Sequence, residues 1–189
     1  MERSVPRPRS PPRPKIPDRR LNRGVVSKTL AIPYIKAPGL PPKFLVVLDK
    51  ATREWSFISG CCKLNEHPNS CVVRELREET KEAVLFYLTP WNHRFFEMQH
   101  WRAEGEDQRR RTLIHYFCYV IDISNYRPPN EILEHFRNSK KPGKCYNENS
   151  DMAFCTLDQF KDKKVWPFIR KDILESKDFK QIYTSICGR

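Results

Sequence analysis

The chain has 189 residues, of which 39% are hydrophobic and 12% aromatic, enough for one globular core and about one domain. No apolar run approaches the roughly 20 residues of a membrane span, and arginine and proline follow Met1 where a signal peptide needs an apolar segment, so a membrane protein is excluded and a cytoplasmic one expected. A net charge of +12 predicts attraction to polyanions, either RNA or phosphorylated metabolites, and says nothing about the fold.

Residues 1–23 carry eight arginines and lysines, six prolines and only Glu2 and Asp18 as acids, so half of the net charge lies there. Proline blocks helix and little is available to bury, which predicts a disordered basic arm. It is suited to holding RNA phosphates, to acting as a nuclear import signal, or merely to keeping the chain soluble. Residues 24–189 form the expected domain.

From Gly24 the β-branched run GVVSKTLAIPYI predicts a strand, with AIPYIKAPGLPPK leading off as a surface loop. Phe44–Leu48 and Trp55–Ile58, either side of the polar DKATRE, predict a hairpin that feeds into Gly60. A helix is expected from about Asn69, capped by Asn69 or Ser70, with Val72, Val73 and Leu76 as its buried stripe. Glu75, Glu78 and Glu79 then fall at i, i+3 and i+4 and share a face. Gathered carboxylates repel unless something positive sits among them, and a hard divalent cation, Mg²⁺ or Mn²⁺, answers that need. Arg74, eight residues after Glu66 and four before Glu78, can tie the loop to the helix. The commoner meaning of such charges is a solvated helix face.

Gly60, Glu66, Arg74-Glu75-Leu76 and Glu78-Glu79 stand at the spacing of the Nudix box, and the chain resembles the Nudix hydrolases on those residues. Lys81 stands where that family usually has glycine, and Glu82 where an apolar residue follows. Within the family, the motif, basic charge and length look closest to baculovirus ADP-ribose pyrophosphatase-like proteins linked to mRNA decapping. The resemblance implies an α/β fold, the Nudix-type α/β/α sandwich with a mixed sheet, and a viral enzyme of the host cytoplasm or nucleus. It implies metal ligation by Glu75, Glu78 and Glu79, and the strand–loop–helix layout puts the backbone of Gly60 and Cys61 beside them, where a carbonyl completes the shell. Catalytic roles fall to Glu78 or Glu79 as base, to Glu148 as an alternative with Asp151 behind it, and to Arg74 and Glu66 as orienting residues. The implied substrates are ADP-ribose or another nucleoside diphosphate linked to a second moiety, and the 5′ cap of mRNA. The alternatives are a catalytically silent nucleotide- or RNA-binding module of the same fold, and an RNA-coating protein driven by the arm. Many relatives are homodimers.

After the motif, Ala83–Tyr87 is expected as a further strand. Thr89–Arg111 mixes Trp91, Phe95, Phe96 and Trp101 with Arg109, Arg110 and Arg111. Aromatic faces stack bases and arginines bind phosphates, so Trp91 and the three arginines are candidate substrate contacts; a core or dimer surface with a solvated hairpin tip is the commoner meaning of such residues. Thr112–Ile123 reads as a central strand. Glu131–Asn138 reads as a short helix burying Ile132, Leu133 and Phe136, and Trp166–Ile186 as a closing helix with Phe179, Ile182 and Ile186 on one stripe. Seven cysteines without paired CxxC spacing predict neither zinc nor disulfides, and most are expected as small buried hydrophobes.

Overall fold

A computed structural model describes residues 25–104, 107–143 and 145–188; the expected basic arm and Gly24 lie outside the described residues. The strands are β1 (Val25–Ile35), β2 (Lys43–Asp49), β3 (Trp55–Ser56), β4 (Ile58–Cys61), β5 (His93–Glu104), β6 (Asp107–Asp122) and β7 (Asn149–Cys155). The helices are α1 (Pro68–Glu79), α2 (Pro129–Asn138), α3 (Leu157–Lys161) and α4 (Lys177–Cys187), with a π-helical turn at Ile169–Ile173. One mixed sheet runs in the order β3-β2-β1-β6-β5, with β4 also on β1 and β7 also on β2. The β1–β6 pair is parallel and the others are antiparallel.

Alternation along the central strands builds the two cores. Leu30, Ile32, Phe44, Val46, Tyr116 and Cys118 point to the face covered by Phe160, Ile169, Ile173, Phe179 and Ile186. Ala31, Leu45, Val47, Tyr119 and Ile121 point to the other, where Val72 and Leu76 of α1 and Ile132 and Phe136 of α2 pack. Sheet strands buried on both faces are the expected α/β/α sandwich.

Several expectations are corrected. Ala31–Ile35 belongs to β1 rather than a loop, because pairing with β6 continues to Tyr34–Asp122. The aromatic segment, to which the sequence assigns no element, supplies β5, and β6 begins five residues before Thr112, since the two strands pair along their whole length. Ala83–Tyr87 forms no strand: Ala83 and Val84 are buried in the second core, and Leu85 N–H donates to the Tyr126 hydroxyl instead of to a neighbouring strand. The closing helix is broken in two, because the Ser176 side chain takes the Phe179 N–H and starts α4 afresh. Only Cys71, Cys118 and Cys155 of the seven free cysteines are buried.

Both ends of α1 also differ from expectation. Its N-cap is His67, whose Nδ1 accepts from Asn69 N–H at 3.2 Å, because Pro68 is suited to the first helical position. Asn69 instead accepts the Tyr119 hydroxyl at 2.7 Å. At the C-terminus, Glu82 N–H reaches Arg77 O at 2.8 Å and Lys81 N–H reaches Glu78 O at 3.1 Å, a Schellman closure. Such a closure needs a left-handed residue, and Lys81 takes φ +52° where glycine would do so without strain. Glu82, also left-handed at +65°, is pinned by Arg77 at 2.9 Å and Lys141 at 2.6 Å. The Lys81 ammonium lies 4.2 Å from the centre of the Phe136 ring.

Lys81→Gly relieves about 1 kcal/mol of strain but forfeits the ring contact, worth about 0.5–1 kcal/mol, while Lys81→Ala loses the contact and keeps the strain. Thermal denaturation is therefore expected to rank the glycine variant near the native chain and above the alanine variant; the opposite order contradicts this account of the helix end.

Candidate active site

The loop from Gly60 to His67 and the helix after it are joined through Arg74. Its Nε and Nη2 donate to the two oxygens of Glu66, both at 2.8 Å, in a bidentate pair. Nη1 donates to Glu75 at 2.6 Å and to Glu78 at 3.2 Å, and Nη2 also donates to the Cys61 carbonyl at 3.0 Å. Glu66 accepts a further bond from Lys63 N–H at 2.8 Å. These bonds, led by the one from Arg74, hold the Glu66 carboxyl down at about 2.

Glu75 is 8% exposed and lies against the α-carbon of Gly60. A β-carbon added at Gly60 would stand 1.7 Å from the Glu75 carboxyl carbon, so glycine is required by close approach and not by backbone angle. Burial pushes the Glu75 carboxyl above the usual range despite the Arg74 bond. The loop carbonyl seen to enter this cluster is that of Cys61, which Arg74 takes.

Glu79 goes the other way. Its carboxylate accepts from the Asn149 side-chain amide, which also bonds the Glu79 carbonyl at 3.2 Å. It lines a cavity of about 220 Å³ with Asp49, Glu54, Glu148, Ser56 and Trp166. Burial, then repulsion from Glu148 and Glu75, pushes its carboxyl up to about 8. The expectation that three carboxylates converge on one point is thus corrected. Arg74 holds Glu75 and Glu78, Asn149 holds Glu79, and among the described residues no three acidic, histidine or cysteine side chains already form a metal-holding group. Helical geometry puts the three on one side, but their partners lie on different elements.

Of the remaining candidates, Glu148 stands beside Glu79, while Asp151 is absent from that cavity and accepts from its neighbour Met152 N–H. Trp91 is 93% exposed and borders a separate hollow with Tyr34 and Asp122. Arg109, Arg110 and Arg111 lie in β6 just before Thr112; their side chains are outside the described residues. Asp49 and Asn149 were not anticipated. Asp49 ends β2 and accepts from Ala51 and Thr52 N–H at 2.9 and 2.6 Å, a turn signal that the aspartate opening DKATRE carries in the sequence. Asn149 is 6% exposed, and only the β2–β7 register brings it to α1.

A family profile for the NUDIX domain matches residues 42–175, well over half of the chain. The chain belongs to the Nudix family. Comparison with curated proteins finds no match. Solved structures with the same fold include the NUDIX domain of Shewanella oneidensis NrtR complexed with ADP ribose, at 13% identity and TM-score 0.52, covering 91% of this chain and 92% of that one. A Listeria monocytogenes protein described as a NUDIX hydrolase matches at 15% identity and TM-score 0.52, over 82% and 94%. The Nudix hydrolase RenU from M. smegmatis matches at 12% identity and TM-score 0.51, over 85% and 87%. At these identities the likeness shows the Nudix fold alone.

Two outcomes follow from this geometry. Gly60→Ala is expected to displace Glu75 and lower turnover by a factor of roughly 100 or more with the sheet intact by circular dichroism, since an ångström of misplacement has that effect. The raised Glu79 pKa means that the folded state binds more protons than the unfolded state between about pH 4.5 and 8. Stability of the metal-free protein should therefore fall as pH rises through that window, and Glu79→Gln should flatten the fall in melting temperature.

Proposed function

We propose that this Nudix protein is a divalent-metal-dependent pyrophosphohydrolase that cleaves the diphosphate of a nucleoside diphosphate joined to a second moiety. ADP-ribose, giving AMP and ribose 5-phosphate, and the 5′ cap of mRNA are the two candidate substrates. The observation that carries this reading is the half-buried Glu79 carboxylate of the Nudix helix, which lines one cavity with Glu148 and Asp49 and so gathers hard oxygen donors at a single place.

Nudix enzymes generally use Mg²⁺ or Mn²⁺. The residues here fit such an ion. Asp49, Glu79 and Glu148 offer only hard oxygen donors, and the repulsion that raises the Glu79 pKa is what a cation relieves. Glu75 and Glu78, on the same helix, are the further donors. When bound, the metal supplies charge neutralisation at the diphosphate.

In the proposed step, water oxygen bonds to one phosphorus as the bridging P–O bond breaks, and the electron pair leaves with the other phosphate. Glu79 is assigned as the acceptor of the proton lost by that water, with Glu148 as the alternative on the facing loop. Arg74 and Glu66 fix the Glu75 carboxylate and Gly60 leaves room for it, so the helix meets the substrate with its acids already placed.

The test is turnover of ADP-ribose and of capped RNA with Mn²⁺ or Mg²⁺ by the native chain and by Glu79→Gln. The native chain is expected to release a nucleoside monophosphate or a capped nucleotide only with metal present. Glu79→Gln should lose roughly 1,000-fold or more while retaining its circular dichroism. Full activity in that variant overturns the assignment, and no product with any metal favours a silent binding module.

A further inference from the structure

The acidic cavity does not end at Glu79. Lys28 and Trp166 form part of its wall and also part of the wall of a second cavity of about 430 Å³. This second cavity lies beside the π-helical turn and over Ile114 and Tyr116 in the middle of β6. Its floor is Tyr116 stacked on Phe168, ring centres 4.4 Å apart, and Trp166 stands 5.1 Å from Phe168. Lys28, Arg102 and Lys171 bring three cations to its rim, against one carboxylate, Asp172, which lies 3.8 Å from His100. Among the described residues none of the three cations makes an ion pair. That is unusual for cations sharing one concave wall, where like charges repel and a low-dielectric lining concentrates their field.

From this polarity we infer that the second cavity is an anion subsite that takes a phosphate of the substrate beyond the scissile diphosphate. It rests on the hydrolase reading above and narrows it. Carboxylates with a metal serve the diphosphate, and the adjoining cations serve a phosphate farther along the same molecule. Trp166, half-buried between the two cavities, offers a ring face to the sugar or base that links them. ADP-ribose has no phosphate outside its diphosphate and leaves the cations unused. A capped oligonucleotide supplies a phosphodiester, and a dinucleoside polyphosphate supplies a further phosphate in a small molecule; both have the required chemistry.

The experiment compares the full native chain with an Arg102→Gln/Lys171→Gln double variant, Lys28 being left alone because it also borders the acidic cavity. Both substituted side chains are exposed, so the fold should be kept, and a melting curve checks it. KM and kcat are measured with Mn²⁺ for ADP-ribose, a capped oligoribonucleotide and diadenosine tetraphosphate. KM for a phosphate-extended substrate should rise roughly tenfold or more with kcat changed less than twofold, while both constants for ADP-ribose stay as in the native chain. A rise confined to the oligonucleotide names the phosphodiester as the source, and a rise confined to the small molecule names the polyphosphate. An equal change for all three, or none, overturns the subsite. Calorimetric titration with adenosine 3′,5′-bisphosphate in the absence of metal separates the subsite from the hydrolase reading. Tenfold weaker binding by the variant upholds the subsite even if no substrate is cleaved. Equal binding, or none by the native chain, overturns it.

Discussion

A single guanidinium makes the loop and the helix of this site one object. Arg74 binds Glu66 with two bonds, Glu75 and Glu78 with one each, and the Cys61 carbonyl with another. The same bonds hold the Arg74 pKa above even its ordinary high value, so the cation never leaves. Glu75 can then be nearly buried, which a lone carboxylate would not tolerate, and its burial against Gly60 sets how closely α1 lies on β4. Each member fixes another: glycine admits Glu75, Arg74 stabilises it, and Glu66 orients Arg74.

Glu79 stands outside this network and is the better for it. Among the described residues no cation is bonded to it and its side-chain partner, Asn149, is neutral, so burial and the neighbouring acids raise its pKa. Two glutamates in consecutive positions, Glu78 and Glu79, thus have different electrostatic surroundings. The cleft extends the contrast, from carboxylates at the end of α1 to cations near the π-helical turn, with Lys28 and Trp166 at the boundary. A substrate laid along it would meet opposite charge needs at its two ends.

The local parts of this arrangement were legible in the chain. Spacing put Arg74 within reach of Glu66 and Glu78, periodicity buried Val72 and Leu76, and the apolar run from Thr112 to Ile123 announced a strand covered on both faces. The helix end was legible as a conflict, since Lys81 occupies a place where the backbone goes left-handed. Legibility failed where a side-chain partner outweighed propensity. The β5 segment mixes Trp, His and Arg too evenly to show a period, and it becomes a strand because β6 is there to pair with it. Ala83–Tyr87 has strand composition, yet it is held by burial and the Tyr126 hydroxyl. The break before α4 depends on one serine cap that helical periodicity cannot register.

By itself, then, the sequence determined the family and the acids of one helical segment, because both are written in spacings of a few residues that local geometry reads directly, and the sandwich followed only through the resemblance those spacings carry. Tertiary structure alone decided which partner each acid receives. Asn149 reaches Glu79 only through the register of β7 on β2, Tyr119 reaches Asn69 only across the sheet, and Lys28 joins two cavities only because β1 lies between β4 and β6. Contacts between residues 50 or 70 positions apart are set by strand pairing and helix packing, whose energies are summed over the whole core, and no short stretch of chain contains that sum.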